Sequence, residues 1–252
     1  MITSPIKHSI IALAVSALLM MYACSGPSGP SASASQPISA TPIIVGAMKN
    51  VMRKGELFAR ISIDTIANKT NLCGFGPVEN LKGEITIIDG HAYKAQVITD
   101  STMSVTESFQ LKAPFFGYAH ISGWLLTPMP DTVQNLAQLE DFLNQTTKNS
   151  PRPFFFKITA RMEQASVHVM NLPDGTKVTS PEDAAIGKRS FPIANSDAEL
   201  IGFFSTEHKT IFTHHDTFLH IHLITSDKHT MGHLDKMTIA KGSAKLFLPE
   251  NQ

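Results

Sequence analysis

The chain has 252 residues, of which 42% are hydrophobic, and can therefore bury a substantial core in one large domain or two small lobes. Its 21 basic and 21 acidic residues balance, and the sequence shows no basic stripe. This composition argues against nucleic acid as a partner.

Residues 1–24 have the pattern of an export signal. A weakly basic start precedes the apolar run Ile10–Tyr22, which has signal-peptide length and is short for a spanning helix. The segment Met21–Cys24 resembles a bacterial lipobox, although its tyrosine is bulky. We therefore predict lipidation at Cys24 and an exported, membrane-anchored lipoprotein that contacts the membrane only through this lipid. The alternatives are secretion by an ordinary signal peptide and an uncleaved anchor.

Residues 25–41 are rich in serine, proline, alanine and glycine and lack periodicity, which predicts a flexible tether. The folded domain is expected over residues 42–252. Cys73 is the only cysteine after Cys24, so this domain cannot contain an internal disulfide. A small buried filler is a better interpretation of Cys73 than a nucleophile, because no base is evident near it.

The first half of the domain contains one clear hairpin. Residues 64–71 are interpreted as a short helix capped by Asp64. Strands are predicted over 84–88 and 92–98, joined by Asp89-Gly90, which is a strong signal for a two-residue turn. Glu84 begins this hairpin, and by position alone it is more simply a surface residue than a functional one.

Further elements follow in the second half of the chain. Residues 109–126 predict two strands, and Asp131 is expected to cap a helix whose apolar face includes Leu136, Leu139 and Leu143. Strands are also expected over 154–168 and 199–205. Ser180 followed by Pro181 is typical of a helix start.

The most informative stretch is the alternating segment Phe218–Ile224. Its period of two places His220 and His222 on one face of a half-buried strand. A polar turn follows, and His233 stands where a returning strand would begin. Three imidazole nitrogens that leave a fourth position open are the ligand set of a catalytic zinc ion. A solvated face or a hydrogen-bonded core pair is the alternative.

The histidines that precede this strand are less specific. His214 and His215 could orient the rings of metal ligands through hydrogen bonds. A solvated turn is the simpler interpretation for His208, His214 and His229.

These motifs together resemble the α-acetolactate decarboxylases. The shared features are H-x-H followed after ten residues by H-x-D, the L-x-G-E hairpin of residues 81–90, and the strand Leu200–Phe204. PPC-type domains, which include DNA-binding proteins, also carry H-L-H followed by G-H-L. The L-x-G-E hairpin favours the decarboxylases.

The resemblance implies a fold and a set of site residues. The fold is α+β, with two related lobes of mixed or antiparallel β-sheets, few helices and the site between the lobes. His220, His222 and His233 would bind Zn²⁺ or another divalent metal, and Glu84 would be a catalytic carboxylate. The family is often dimeric, so a homodimer is an expectation from the resemblance alone.

Two departures from the family pattern concern acids and bases. His168 stands near the position of the family's active-site arginine, with Arg161 as the nearest upstream alternative, and His168 is therefore a candidate catalytic residue. A histidine offers at most one donor to a carboxylate where arginine offers two. The family also carries an acidic residue near its C-terminus, for which Glu250 is a poor match.

The predicted function is metal-dependent decarboxylation of 2-acetolactate to acetoin and CO₂. One alternative is a metal-dependent enzyme acting on a different keto or hydroxy acid. Another is a non-catalytic, lipid-anchored binding module on the same scaffold.

Overall fold

The computed structural model describes Met1 and residues 40–250. The predicted signal segment, Cys24 and nearly all of the predicted tether fall in residues 2–39 and lie outside the described residues. In the part of the chain that is described, no helix is long and apolar enough to cross a membrane.

The domain is built mainly from strands. In chain order the elements are β1 (Ile43–Val45), α1 (Met48–Lys54), β2 (Ile61–Ser62), β3 (Leu72–Pro77), β4 (Glu84–Ile88), β5 (His91–Thr99), β6 (Thr102–Glu107), β7 (Lys112–Ala113), β8 (Phe116–His120), β9 (Trp124–Thr127), α2 (Leu136–Thr146), β10 (Phe154–Met170), α3 (Pro181–Ala185), β11 (Lys188–Phe204), β12 (Leu219–Thr225), β13 (Met231–Ile239) and β14 (Lys245–Pro249).

Two six-stranded sheets organise these elements. The first has the order β1-β8-β3-β4-β5-β6 and the second the order β11-β12-β13-β10-β14-β9, while β2 and β7 form a separate pair. Strand β10 pairs with β11 along one edge and with β13 along the other, so four strands of the second sheet close on themselves. All pairings between these strands are antiparallel, and helices are few. The α+β prediction is confirmed, with antiparallel rather than mixed sheets.

The β4–β5 hairpin forms as the sequence predicts. Asp89 and Gly90 both have positive φ, 48° and 88°. This backbone conformation suits a tight turn that matches the twist of the flanking strands. The prediction of strands over 84–88 and 92–98 is therefore confirmed, with β5 extended by one residue at each end.

Two predicted helix caps are wrong. In place of a helix capped by Asp64, residues 63–65 form a single 3₁₀ turn, and Asn68 and Asn71 then adopt positive φ, which ends helical geometry. Helix α2 begins after Asn135 rather than Asp131. The Asn135 side chain accepts from the Gln138 backbone N–H, and the Gln138 side chain returns a bond in a capping box.

The predicted cap of α3 is confirmed. The Ser180 side chain accepts a hydrogen bond from the Asp183 backbone N–H, and Pro181 begins the helix. Proline suits this position because the N–H that it lacks would have no partner within the helix.

The strands of the second sheet are longer and more buried than predicted. Strands β10 and β11 each run for 17 residues and pair along their whole length. Strand β12 is fully buried rather than half-buried, because the first sheet covers its histidine face and core side chains cover the other.

The inner faces of the two sheets meet around Phe75 of β3. Its ring stacks on His222 at 4.7 Å between centroids and contacts the edge of His220 at 4.6 Å. Phe155 and Phe212 pack on the same ring. Aromatic packing of this kind excludes water from one side of the histidines.

Candidate active site

Three adjacent strands form a histidine row, which comprises His168, His220, His222 and His233. His222 on β12 lies opposite His233 on β13, and His233 lies opposite His168 on β10. His220 is two residues from His222 and shares its face of the strand. The potential ligand atoms of His220, His222 and His233 all lie within 4.8 Å of one another, so the structure brings the predicted triplet together.

The close approach of β10 to β13 depends on the glycine before His233. A Cβ atom on Gly232 would lie 2.4 Å from the backbone oxygen of His168, so a larger residue would push the two strands apart. Gly232 therefore helps to hold His168 against the row.

Hydrogen bonds at Nδ1 fix two of the rings. His220 Nδ1 donates to the Phe212 carbonyl oxygen at 2.6 Å, which leaves Nε2 as a lone-pair donor. His222 Nδ1 lies 2.9 Å from Thr86 Oγ1 of β4. When Nδ1 carries the proton of this bond, His222 Nε2 is likewise free to bind a metal.

The donor set fits a metal ion. Among the described residues, His222 Nε2 is one of two buried side-chain polar atoms without a hydrogen-bond partner, and it points towards the other two rings. Buried polar atoms are normally satisfied, so an orphan inside a cluster of nitrogen donors indicates a missing ligand. Borderline metals such as zinc are typical partners of imidazole.

Burial keeps these imidazoles neutral. It lowers the pKa of His220 to about 3, and burial together with the neighbouring rings lowers the pKa values of His222 and His233 well below their usual range. Metal binding requires neutral rings, so no proton needs to be displaced at neutral pH.

A second group of potential ligands comprises His168, His233 and Asp235. Lys188 Nζ lies 2.9 Å from Asp235 Oδ1, the same oxygen that His168 Nδ1 contacts at 2.9 Å. An ammonium in this place repels a metal cation, so the triplet of His220, His222 and His233 is the better metal site.

Glu84 faces the histidine row from the first sheet. Its side chain is buried, its Oε1 accepts from the Met170 backbone N–H at 3.3 Å, and its Oε2 lies 3.8 Å from His222 Nε2. Burial raises the pKa of Glu84 to about 8; the Met170 bond partly offsets this effect, and the charge of Asp235 adds to it. Glu84 and His222 are therefore both neutral at pH 7, and their contact is not an ion pair.

A cavity of about 290 Å³ opens onto this site between the two sheets. Its polar lining includes one carboxyl group, three cationic side chains and five histidines, and its apolar lining includes methionine, leucine and phenylalanine side chains. The lining side chains that carry charge or a titratable group are Lys49, Arg53, Glu84, His168, Lys188, His214, His215, His220 and His233. The site lies between the sheets, as the resemblance implied.

His168 lines this cavity, and its ring lies 4.6 Å from that of His233. The alternative, Arg161, is exposed and pairs with Asp197 at 3.5 Å, and it does not line the cavity. Glu250 is bonded through its backbone to Gly123 and is also absent from the cavity wall. Of these three residues considered from the sequence, only His168 lines the cavity.

Sequence reasoning overlooked Thr86 and Lys188 near the site, and it favoured a solvated turn over a supporting role for His214. Thr86 is fully buried and contacts His222, and its position two residues after Glu84 on a strand was a usable signal. His214 is exposed, as a turn residue should be, yet its ring lies 5.2 Å from His233. Lys188 carried no signal, because its strand was predicted to begin only at residue 199.

Cys73 does not belong to this site. It is buried, and burial raises the pKa of its thiol to about 12, so it is not a nucleophile at neutral pH. Its interpretation as a small filler of the core is consistent with this environment.

Comparison with known proteins agrees with the motifs. The sequence model of the family described as alpha-acetolactate decarboxylase matches residues 45–249. The chain belongs to this family.

Individual relatives of the family are distant. An alpha-acetolactate decarboxylase of Methanosarcina mazei is 25% identical over 174 residues, which cover 69% of this chain and 58% of that protein. The chain thus spans little more than half the length of this curated relative.

Solved structures agree in fold. The crystal structure of alpha-acetolactate decarboxylase from Bacillus subtilis strain 168 has a TM-score of 0.66 at 15% identity and covers 82% of this chain and 83% of its own. A Staphylococcus aureus protein, described as of unknown function and similar to alpha-acetolactate decarboxylase, has a TM-score of 0.62 at 17% identity, with 81% and 84% covered.

Proposed function

We propose that this protein is a metal-dependent decarboxylase that converts 2-acetolactate to acetoin and CO₂. One observation carries the proposal: three imidazoles converge beside a buried carboxyl group. Family membership supplies the reaction class, and this arrangement supplies the groups that the reaction needs.

His220, His222 and His233 would hold the metal through the ring nitrogens that face one another. When bound there, Zn²⁺ or a similar divalent ion would act as a Lewis acid towards the ketone and hydroxyl oxygens of the substrate. Phe212 and Thr86 fix the ring orientations of His220 and His222 before any ion arrives.

Glu84 would manage the proton. Loss of CO₂ from the acetolactate anion leaves an enediolate, and one proton on carbon then gives neutral acetoin. Without a metal, burial raises the pKa of this carboxyl group to about 8, and the group lies beside the histidines; a divalent cation bound there would lower the pKa towards neutrality. Its pKa close to the working pH suits it for both release and recovery of the proton.

His168 would contact the substrate rather than the metal. Its Nδ1 is engaged with Asp235 at 2.9 Å, so only the other ring nitrogen is available to the cavity. One such donor cannot replace the bidentate grip of an arginine. This difference favours a second candidate function, decarboxylation or rearrangement of a different keto or hydroxy acid.

The cellular setting is also a proposal. We infer from residues 1–41 that the domain is exported and tethered to a membrane through lipidated Cys24. Its proposed partner is the small acid on which it acts. A homodimer is proposed from family membership alone. Mass spectrometry of the membrane-extracted protein tests the lipid, since diacylated Cys24 changes the mass of the N-terminal peptide.

The decisive experiment uses the domain from Gln36 onward, without its anchor. Acetolactate is supplied, and acetoin is measured before chelation, after chelation and after zinc is restored. We expect acetoin formation that disappears with the metal and returns with it. A protein with full metal content that forms no acetoin would refute acetolactate as the substrate and favour a different acid or a binding role.

A further inference from the structure

Three cationic side chains line the cavity: Lys49, Arg53 and Lys188. Lys49 and Arg53 are exposed residues of α1 at the cavity mouth. Lys188 is also exposed, but it differs from them because its ammonium lies 2.9 Å from Oδ1 of Asp235, whose side chain is 22% exposed. An ammonium that is already positioned loses less conformational entropy when it binds a ligand.

The position of Lys188 is set by the site itself. Asp235 Oδ1 accepts from Lys188 Nζ and contacts His168 Nδ1, so one oxygen holds the ammonium and the imidazole side by side. Lys188 also lies directly opposite Met170 across β10 and β11, and the Met170 N–H is the donor to Glu84. Lys188 therefore lies next to His168 through Asp235 and next to Glu84 through the backbone of Met170.

The ammonium has capacity for a further partner. It carries three N–H donors, of which Asp235 takes one. The remaining donors can bind a carboxylate oxygen in the cavity, and the second nitrogen of His168 donates one more bond when that ring is an imidazolium, because its Nδ1 proton is already donated to Asp235. Asp235 positions Lys188 and His168, because its Oδ1 contacts both the ammonium and the imidazole.

We propose that Lys188, assisted by His168, binds the carboxylate of the substrate in this protein. The proposal rests on the proposed function in one respect, that the substrate is an acid. Two neighbouring arginines do not compete for this role, because Arg189 pairs with Asp100 at 2.9 Å, Arg161 pairs with Asp197, and neither lines the cavity. The third, Arg53, lies at the cavity mouth, and among the described residues it has no ion pair that would position it beside His168 as Asp235 positions Lys188. A lysine here recognises the charge of a carboxylate without the planar geometry that arginine demands.

The test compares Lys188→Met with Lys188→Arg and with a matched control, Arg189→Met. Arg189 is the next residue on β11, is 33% exposed and also makes an ion pair at 2.9 Å, but side chains of adjacent strand residues point to opposite faces. Calorimetry on the zinc-loaded full chain measures binding of two probes. One probe is α-hydroxyisobutyrate, which has a hydroxyl and a carboxylate; the other is acetoin, which is neutral.

We expect Lys188→Met to weaken α-hydroxyisobutyrate binding by roughly 10- to 100-fold, the value of one charge-assisted hydrogen bond. Acetoin binding and zinc content should stay unchanged, and Lys188→Arg should recover most of the affinity for the acid. With acetolactate, KM should rise more than kcat falls. Arg189→Met should leave the affinities for both probes as they are.

The proposal is overturned if Lys188→Met weakens both probes equally, because this result would mean a structural role for the ion pair. It is also overturned if Lys188→Met leaves the affinity for the acid unchanged. Because the readout is binding to the metal-loaded protein, it remains decisive if the protein forms no acetoin, and the failure of the proposed function is thus distinguished from the failure of this inference.

Discussion

Two carboxyl groups lie at opposite sides of the histidine row, and their surroundings give them opposite chemistry. Glu84 projects from the first sheet beside His222, and burial raises its pKa to about 8. Asp235 projects from the second sheet. Burial alone would raise its pKa too, but the His168 hydrogen bond and the nearby Lys188 charge outweigh burial and lower it.

The difference assigns the two groups to different tasks. A carboxyl group that stays protonated at neutral pH can donate a proton, whereas a carboxylate that stays charged can hold cations in place. Glu84 therefore belongs to proton transfer and Asp235 to the support of His168 and Lys188. Variants that change Glu84 or its neighbours and leave Asp235 unchanged test this difference between the two carboxyl groups.

The largest effect is expected for Glu84→Gln. Glutamine keeps the size of the side chain and can still accept from Met170, but it cannot release a proton. Turnover of acetolactate should fall by about 10²- to 10⁴-fold, the usual contribution of a positioned acid or base. Zinc content, measured by elemental analysis, should not change, because Glu84 is not one of the three ligands.

The matched control for this variant is Glu79→Gln. Glu79 lies five residues upstream, accepts a hydrogen bond from the Ala59 backbone N–H and does not line the cavity. This change should leave turnover within about twofold, as is usual for changes remote from the chemistry. Normal turnover by Glu84→Gln would remove Glu84 from the mechanism.

The sequence was most informative where the local signals agreed with the tertiary structure. The β4–β5 hairpin could be predicted because Asp89-Gly90 suits its turn and the flanking residues favour strands. The histidine triplet could be placed because a period of two and a polar turn bring His222 opposite His233. Both features depend on short-range geometry.

The rest required contacts that no local pattern reveals. Residues 188–198 contain Pro192 and Asn195, which has positive φ, and yet they belong to β11 because β10 pairs with them throughout. Tertiary pairing here overrides weak strand propensity. For this reason the position of Lys188 beside Asp235 could not be predicted. Thr86 could be placed on the same strand face as Glu84, but its partner His222 lies on the opposite sheet and could not be predicted from β4 alone.

A smaller effect is expected for Thr86→Val, which tests the contact between the two sheets. Valine has a similar shape and is compatible with a strand, but it cannot hydrogen-bond His222 Nδ1. Loss of a partner that orients a metal ligand typically weakens metal binding by about 10- to 100-fold. Competition with a zinc chelator measures this affinity.

Thr159→Val provides the comparison for Thr86→Val. Thr159 is a strand threonine of β10, opposite Glu199, and does not line the cavity. The Thr159→Val variant should bind zinc with the same affinity as the unaltered protein. Equal zinc affinity in Thr86→Val would show that packing against Phe75 alone is enough to orient the His222 ring.

The smallest effect is expected for the pH dependence of the free energy of unfolding without metal, which also distinguishes Glu84 from Asp235. The folded-state pKa of Glu84 is raised from 4.5 to about 8, so between these values the folded protein holds a proton that the unfolded chain has released. Stability from this group is therefore lost as pH rises, by about 1.4 kcal/mol per unit for a fully buried group. The buried histidines act oppositely: the folded-state pKa of His220 is lowered from 6.5, so its penalty appears only as pH falls below 6.5.

Urea unfolding of the zinc-free protein and of its Glu84→Gln variant at pH 7 and pH 8 isolates the Glu84 contribution, because the contribution of the histidines is common to both proteins. Across this unit the unaltered protein should lose about 1 kcal/mol more stability than Glu84→Gln. Asp235 has a lowered pKa and stays charged throughout, so it contributes no slope here. Equal slopes for the two proteins would mean that Glu84 is already ionised in the folded state, and the contrast between the two carboxyl groups would then fail.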